Sequence, residues 1–531
     1  MAILIANIGT SDLAVKIEDY YIPVGFDRNE PNLDYSGLTE DEKIMWEQQK
    51  LRQEYVTQLL CPELNVAVDK NNPKIPFYFR ELTEKLLNAY QQDEEKWHPR
   101  IRPGRISGVI KTAVEKFKVQ DIYIFVTKQK DPHPQDSIYL FDILQKWFKK
   151  EQNIQLIPEI IPADIPAVDL DNLLDYYYGV FVKYISRDSE LLISLKGGTP
   201  QMKTAISMQA FASSINKQIF IDPVLSPAKI LAGEPSDCLL TSYWRYMRNQ
   251  KYQDVKILLE ERWDFDGAIQ LIKQWQETLK FLNYHLEDIK ISQINHLISQ
   301  VFRGLEIANY CLNLDWKTAN EIVKNNSAQI PGRISNQVKD KNYNLLLNVY
   351  TQCRIYYYDE LNQMANFLVG VSSFYEQVLE IIAKNLGQKK YYPDKGNRYE
   401  KRDFVDGIIS KNSKHYDSWL TIQECLNSLN FWCSKRNRLI HNGEGISIKL
   451  MEDLYFQKEL LLQRANEYER EDIKNACAPK SILNVMTRIL ETDFQLLPNQ
   501  YQKYVGRKAD YYIYSAVREW AIAQLMNEGL K

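Results

Sequence analysis

The segment 436–441, which reads RNRLIH, combines three side-chain types that together could cleave a phosphodiester without a metal. A histidine can transfer a proton near neutral pH, an arginine can stabilise charge on a phosphate, and a carboxamide can orient either group. Arg436, Asn437 and His441 are therefore candidate catalytic residues for acid–base cleavage of RNA. A basic helix end on the protein surface has the same composition, so the motif alone leaves that interpretation open.

The spacing within this segment limits what one copy of it can do. Asn437 and His441 are four residues apart and share a helix face, whereas Arg436 and His441 are separated by roughly 140° around the axis. One straight helix cannot aim both at the same atom, so either the helix bends at His441 or a second copy completes the site. Asn442 and Gly443 form a helix-stop signal, so we expect His441 in or near the last turn.

A second motif, LISLKGGTPQMK at 192–203, has the features of an anion-binding turn. Gly197 and Gly198 would let backbone N–H groups approach a ligand closely. Thr199 suits the N-cap and Pro200 the first position of a following helix, whose N-terminus attracts anions. The motif is neither the dinucleotide fingerprint nor a Walker loop, and a tight strand-to-helix connection without a ligand stays an open interpretation.

Charged and polar residues near this turn extend the candidate site. Lys196 and Lys203 flank the glycines and add positive charge. Gly9, Thr10 and Ser11 follow the first apolar run of the chain. Because parallel strands place their carboxyl ends at one edge of a sheet, we expect these residues to lie beside the glycine turn.

The order of apolar and amphipathic segments predicts an α/β fold followed by an all-α part. Helical patterns lie between the early strands, which predicts a parallel, doubly wound sheet. From about 236 onward strand signals disappear and long helical patterns follow. We predict a Rossmann-like α/β domain at 1–235, with an insertion at about 13–105, a helical connecting domain at 236–340 and an all-α domain at 341–531. The predicted strands are Ala2–Ile8, Asp121–Thr127, Ile154–Ile161, Glu190–Leu195 and Gln218–Pro223.

Composition excludes several classes of protein. The 531 residues are 45% hydrophobic and 25% charged, which is typical of soluble globular proteins, and no apolar run is long enough to span a membrane. The net charge of −3 argues against a protein coated in nucleic acid such as DNA. Seven dispersed cysteines without a CxxC pair predict no metal site and a reducing, cytoplasmic environment.

The segment 384–402 is the one candidate for a local basic cleft. It contains seven lysines and arginines against Asp394 and Glu400, with three tyrosines interleaved. Basic residues alternating with aromatics are typical of surfaces that bind single-stranded nucleic acid. With 34 tyrosines in the chain, a solvated loop explains the same composition equally well.

Taken together, these motifs resemble those of the CARF–HEPN ribonucleases, the ancillary effectors of type III CRISPR systems. The first match is the N-terminal strand with Asn7-Ile8-Gly9-Thr10-Ser11, and the others are Lys196–Lys203 and Arg436-Asn437-x3-His441. The resemblance spans most of the chain in domain order and is vague in the helical middle. The segment 13–105 departs from the family pattern.

The resemblance implies that the α/β domain is a sensor for cyclic oligoadenylate, which acts as an allosteric activator, and that the C-terminal domain is a HEPN-like ribonuclease. Two sensor domains would pair in a homodimer and cradle the ring, with the tetra-adenylate favoured over the hexa-adenylate by family frequency. The implied ring contacts are Gly9, Thr10, Ser11, Lys196, Gly197, Gly198, Thr199, Pro200, Met202 and Lys203.

The resemblance also implies a catalytic mechanism without a metal or cofactor. His441 would transfer a proton at the 2′-hydroxyl or the leaving oxygen of single-stranded RNA. Arg436 would stabilise the scissile phosphate, and Asn437 would orient groups through its amide. A further hypothesis is that the sensor slowly degrades its own activator, with Thr10 and Ser11 positioning the attacking 2′-hydroxyl.

Three alternatives compete with this interpretation. The first is a HEPN toxin that cleaves RNA without any activator. The second is a non-enzymatic ligand sensor whose helical domain binds a partner protein. The third is a CARF transcription factor, but the C-terminal part has neither a helix-turn-helix pattern nor a strongly basic composition.

Overall fold

The chain forms two compact units in the computed structural model, residues 1–248 with 277–292 and residues 249–276 with 293–531. The described residues are 2–25, 33, 35–72, 75–184, 189–213, 215–242, 244–286, 288–339, 344–358, 363–411, 416–441 and 445–529. The description covers the backbone alone at residues 49, 50, 184, 344, 416, 437–441, 467 and 468.

Two β-sheets form the framework of the first unit. The strands are β1 Ala2–Asn7, β2 Leu13–Ile17, β3 Tyr20–Pro23, β4 Ile101–Pro103, β5 Asp121–Val126, β6 Ile157–Ile160, β7 Glu190–Ser194, β8 Lys217–Pro223 and β9 Cys238–Thr241. The large sheet has the order β6-β5-β1-β7-β8-β9, and only its β8–β9 pairing is antiparallel. The small sheet is antiparallel, with the order β3-β2-β4.

The helices of the first unit connect and cover these strands. They are α1 Glu40–Glu47, α2 Gln49–Glu54, α3 Cys61–Glu63, α4 Phe79–Gln92, α5 Glu94–Trp97, α6 Arg105–Phe117, α7 Ile138–Gln152, α8 Leu170–Tyr184, α9 Pro200–Ala212 and α10 Pro227–Ala232. All six residues of β1 are buried. Ile3 and Ile5 pack with α8 and α9 in one core, while α6 packs against β1 and β8 outside that core. The central strand is therefore covered on both faces, as a near-continuous apolar run predicts.

The five predicted strands are all present, which confirms the doubly wound α/β class. The prediction that strands end by about 236 was wrong, because Cys238–Thr241 forms an antiparallel edge strand against β8. This strand has only four residues, too few for an alternating pattern to stand out from its neighbours. Its hydrogen bonds come from β8, which the local sequence does not reveal.

The segment predicted as an insertion, 13–105, contains the small sheet and the helices α1 to α5. It begins and ends beside the carboxyl end of β1. The Gly104 N–H donates a hydrogen bond to the Asp12 carbonyl oxygen at 2.9 Å. A side chain on Gly104 would collide with the Ser11 carbonyl oxygen, since an added Cβ would lie 2.2 Å from it. The two ends of the segment therefore pack directly against each other.

Long helices follow, and the boundaries between the two units fall inside the first three of them. The helices are α11 Trp244–Glu261, α12 Phe265–Leu286, α13 Ile289–Leu312, α14 Trp316–Asn325, α15 Gly332–Lys339, α16 Asn344–Tyr358, α17 Met364–Asn385, α18 Arg398–Ile409, α19 Tyr416–His441, α20 Ile448–Phe456, α21 Lys458–Arg464, α22 Glu467–Lys474, α23 Ile482–Leu490 and α24 Tyr512–Gly529. Within the described residues, none of the helices is both long and apolar enough to cross a membrane.

A fully buried arginine fastens the C-terminal loop of the second unit. Arg354 on α16 is 0% exposed. Its Nη1 and Nη2 atoms donate to the carbonyl oxygens of Tyr504, Arg507, Ala509 and Asp510. A buried guanidinium needs such partners, because an unpaired charge in the interior is costly. Four backbone carbonyl groups supply them here.

Candidate functional site

The two predicted ligand loops meet at the point where the strand order reverses. The chain runs from β1 outward to β5 and β6, and then crosses to β7 on the other side of β1. Loops that leave adjacent parallel strands in opposite directions open a crevice at the carboxyl edge, which is where such sheets bind ligands. Ala6 pairs with Ser194, so the loops after β1 and β7 start side by side.

Backbone contacts lock these loops together. The Gly198 N–H donates to the Ile8 carbonyl oxygen at 3.1 Å. Gly197 has φ +101° and Gly198 has φ +69°, backbone conformations that glycine adopts most readily. A Cβ added to Gly197 would lie 2.5 Å from the Asn7 carbonyl oxygen, and one on Gly9 would lie 3.1 Å from the Gly198 nitrogen. The glycines are therefore required for the close approach of the two loops.

The helix after the glycine turn begins as the sequence predicts. Thr199 is the N-cap of α9, and its Oγ1 accepts a hydrogen bond from the Met202 N–H at 3.2 Å. Pro200 is the first helical residue. The Thr199 hydroxyl also donates to the Ala167 carbonyl oxygen, so the fold already uses it in both directions. The Met202 side chain is 1% exposed and belongs to the core.

The loop after β1 is held by an aspartate that the sequence analysis did not single out. Residues Thr10–Asp12 form a 3-10 turn. Asp12 is buried, and its carboxylate accepts hydrogen bonds from the Gly9 N–H at 2.8 Å and the Ile106 N–H at 3.1 Å. This carboxylate ties the loop to the first turn of α6. Thr10 and Ser11 are half-buried beside it. The signal in the sequence was the Gly-Thr-Ser-Asp order, a capping pattern.

Buried polar side chains lie directly beneath the glycine turn. Asn7 is 0% exposed, and its Oδ1 accepts a hydrogen bond from the Tyr177 hydroxyl at 2.9 Å. Burial raises the pKa of Tyr177 well above its ordinary value, so the phenol remains a donor at all physiological pH values. The Asn7 Nδ2 and the Ser194 Oγ are buried without a hydrogen-bond partner among the described residues. Such groups are rare in folded proteins because they cost free energy.

Both predicted lysines border the turn. Lys196 and Lys203 are half-buried, and each makes contacts within the fold. Burial raises the pKa of Asp222 at the end of β8, and the charge of Lys196 partly opposes this rise. Lys196 therefore lies near Asp222 at the same edge of the sheet. The structure brings together all the predicted loop residues. The Thr199 hydroxyl is already hydrogen-bonded within the fold, however, and the Met202 side chain is buried in the core.

The helix that carries the second motif ends where the stop signal predicts. Helix α19 has 26 residues and its last residue is His441. Arg436 is half-buried and has an interaction partner, so it is not a free surface cation. The side chains of Asn437 and His441 lie outside the described part of the chain, so their predicted catalytic roles stay predictions.

A polar network lies on α19 just before this motif. Asp472 is 7% exposed. It accepts hydrogen bonds from the Asn430 amide, from the Tyr399 hydroxyl at 3.0 Å and from the Ser434 hydroxyl at 3.4 Å. The Arg398 Nη2 donates to the Ser434 Oγ at 2.7 Å and to the Tyr399 oxygen at 3.2 Å. Two hydroxyl groups thus connect one guanidinium to one buried carboxylate.

Three of the seven cations in the basic and aromatic segment 384–402 form ion pairs with nearby carboxylates. Lys389 lies 2.7 Å from Glu380 and 2.6 Å from Asp394. Lys401 lies 2.5 Å from Glu376, and Arg402 pairs with Asp406 on the same helix. Carboxylates therefore already pair with three of the seven cations, and binding of single-stranded nucleic acid by this segment stays a prediction.

Two further observations bear on metals and redox chemistry. Across the described residues, no group of three or more His, Cys, Asp or Glu side chains is arranged to hold a metal ion. The seven cysteines are free thiols, of which five are buried. Burial raises the pKa of Cys353 and of Cys433, which keeps both thiols protonated at neutral pH.

Comparison with known proteins adds little to this picture. No protein-family model matches the sequence, and no curated protein matches it significantly. Among solved structures, the chain is similar to Enterococcus italicus Csm6 bound to cyclic hexa-2′-fluoro-hexa-dAMP. The identity is 14%, the match covers 80% of this chain and 95% of that chain, and the TM-score is 0.46. A TM-score this low at this identity establishes neither family nor function.

Proposed function

We propose that this protein is a metal-independent endoribonuclease of the CARF–HEPN type, activated by cyclic oligoadenylate and acting in type III CRISPR defence. The occurrence of two features in one chain carries the proposal. A glycine turn that suits an anion interlocks with the loop after β1 at the switch point, and the same chain contains a helix that ends at His441 of an Arg-x4-His motif. In this proposal, residues 1–235 sense the ring, 236–340 connect, and 341–531 cleave RNA.

The sensor half of the proposal rests on the crevice between β1 and β7. A cyclic oligoadenylate presents phosphates and ribose hydroxyls around a ring. Backbone N–H groups at glycines and the N-terminus of a helix attract phosphates. Lys196 and Lys203 add positive charge at the same edge, and Thr10 and Ser11 offer hydroxyl groups from the facing loop. A ring with two-fold symmetry would fit between two such edges in a homodimer.

The nuclease half rests on the geometry of α19. Arg436 and His441 are five residues apart, which puts them roughly 140° apart around one helix. A site made from two copies of the helix would let each His441 act with the partner subunit's Arg436. The 2′-oxygen would lose its proton and attack the adjacent phosphate, the bond between phosphorus and the 5′-oxygen would break, and the 5′-oxygen would take up a proton. His441 would make one of these two proton transfers. The products would be a 2′,3′-cyclic phosphate and a 5′-hydroxyl.

The decisive experiment is a cleavage assay of purified protein on fluorescent single-stranded RNA in EDTA. Cyclic tetra-adenylate and cyclic hexa-adenylate are added separately. We expect cleavage only with one of the rings. His441→Ala should abolish it, whereas His296→Ala, the same change at another histidine of the helical part, should not. Cleavage without any ring would indicate the ungated toxin, and ring binding without cleavage would indicate the non-enzymatic sensor. Strict dependence on Mg²⁺ would exclude the proposed chemistry.

A further inference from the structure

The network on α19 contains a guanidinium that the proposed mechanism does not use. Arg398 is the first residue of α18 and is half-buried. Its Nη2 is held by the Ser434 and Tyr399 oxygens, and its carbon Cζ lies 5.0 Å from the centre of the Tyr399 ring. Among the described residues, no carboxylate lies within ion-pair distance of the Arg398 guanidinium. Arg398 therefore differs from Lys401 and Arg402 on the same helix, which are ion-paired.

The hydrogen bonds around Arg398 fix its direction. The Tyr399 and Ser434 hydroxyls each have one proton, and both donate toward the Asp472 carboxylate. Their lone pairs consequently face the guanidinium, so Asp472 acts on Arg398 through two hydroxyl groups. A positioned guanidinium without a carboxylate partner suits an anion that presents two oxygens side by side, such as a phosphate.

The position of Arg398 relates it to the catalytic motif. Ser434 and position 441 are seven residues apart, two helical turns, so they share a face of α19. The rise between them is about 10 Å. Arg398 and Arg436 both lie close enough to Cys433 to lower its pKa against the effect of burial. Because it is bonded to Ser434, Arg398 lies at the face of α19 that position 441 shares, whereas position 436 is roughly 160° from position 434 around the axis.

We infer that Arg398 forms a phosphate-binding subsite for single-stranded RNA. Because Ser434, to which Arg398 is bonded, lies about 10 Å along the helix from position 441, Arg398 would bind a phosphate next to the cleaved one and not the cleaved one itself. Asp472, Ser434 and Tyr399 are positioning residues for it. The inference rests on the proposed function, since it assumes that RNA runs along this face of α19.

Binding of RNA to the inactive His441→Ala protein tests the subsite separately from catalysis. A fluorescent single-stranded RNA is titrated by anisotropy at several salt concentrations, with the activating ring present. Adding Arg398→Gln should raise the Kd about 10-fold, in line with loss of a hydrogen bond to a charged group. The slope of log Kd against log salt should fall by about 0.7, the value for one phosphate contact on a single strand.

Matched variants separate binding from a purely structural role. Lys401→Gln removes the same charge from the same helix but from a residue already paired with Glu376, so Kd and slope should not change. Arg398→Lys should restore the wild-type slope, because it keeps the charge. A role in stability alone would lower the melting temperature of Arg398→Gln without altering the slope.

The outcomes also distinguish this inference from the proposed function. If the wild-type protein cleaves RNA but Arg398→Gln leaves the Kd and the salt slope unchanged, the subsite is refuted and the proposed function stands. If the wild-type protein does not cleave RNA but binding depends on Arg398, the subsite stands and the proposed function falls. If no RNA binds at all, the subsite is refuted.

Discussion

Replacing Gly197 by alanine should lower the free energy of unfolding of the first unit, and the backbone conformation and neighbours of Gly197 set the size of the loss. With φ +101°, this residue lies outside the usual range of L-residues. The left-handed region costs a non-glycine residue about 1–2 kcal/mol. The new Cβ would also lie 2.5 Å from the Asn7 carbonyl oxygen, and because that atom is backbone, two interlocked loops must move. Overpacking of this kind costs about 1–3 kcal/mol. The expected loss is therefore about 3 kcal/mol.

Two other glycines provide matched controls for the same substitution. A Cβ on Gly179 in α8 meets no heavy atom within 4 Å, so alanine there should stabilise the helix by about 0.5–1 kcal/mol. Gly407 in α18 is equally open and lies in the second unit. Gly407→Ala should therefore raise the melting temperature of the second unit alone, which shows which of the two transitions belongs to that unit.

Differential scanning calorimetry measures these shifts. About 2–4 °C per kcal/mol is expected for a unit of this size. Gly197→Ala should lower the transition of the first unit by about 6–12 °C, whereas Gly179→Ala should raise it by about 1–4 °C. If Gly197→Ala melts with the wild type or with Gly179→Ala, the close approach of the two loops is not real, and the crevice on which the sensor proposal rests is lost with it.

Three further predictions concern charge and burial. Lys203→Glu should raise the activator concentration needed for cleavage at least about 10-fold, because a charged contact to the ring is lost. Lys111→Glu, on the exposed surface of α6, should leave that concentration unchanged. An unchanged dose response in Lys203→Glu would contradict the assignment of the glycine turn to the activator. The hydrogen bond from Arg100 lowers the pKa of Glu63 to about 2, so its stabilisation is present above the ordinary pKa of 4.5 and is lost as pH falls toward 2. Glu63→Gln should cost about 0.5–1 kcal/mol at pH 7 and progressively less below about pH 5; a cost that grew on acidification would reverse the assigned sign. Arg354→Leu leaves buried carbonyl oxygens without donors and should cost about 3 kcal/mol in urea unfolding, so a loss below about 1 kcal/mol would show that the clamp is dispensable.

Local signals in the sequence predicted the elements that carry the site. The apolar runs predicted the five parallel strands, and the Thr-Pro pair predicted the N-cap and first residue of α9. The Asn-Gly signal predicted that α19 ends near His441. These features depend on residues within a few positions of each other, because capping and periodicity are properties of one element.

The tertiary structure decided which of these residues meet. Strand order, which sequence periodicity does not contain, places Gly9 against Gly198. The roles of Asp12 and of the Asn7–Tyr177 pair come from contacts across long stretches of chain. The pairing of the lysines in 384–402 likewise depends on carboxylates brought in by neighbouring helices and loops.

The predicted catalytic residues show most clearly how far the sequence alone determines a site. The types and spacing of Arg436 and His441 follow from the sequence alone, and so does the conclusion that one helix cannot aim both at one atom. The sequence alone does not show that Arg398 lies at the face of α19 shared by position 441. There Arg398 is bonded to Ser434, which is bonded in turn to Asp472. Residues 36 and 38 positions apart contribute to that arrangement, and only the packing of α18 and α22 against α19 brings them together. Side-chain chemistry is local, whereas a binding site is a set of distances, and folding sets those distances.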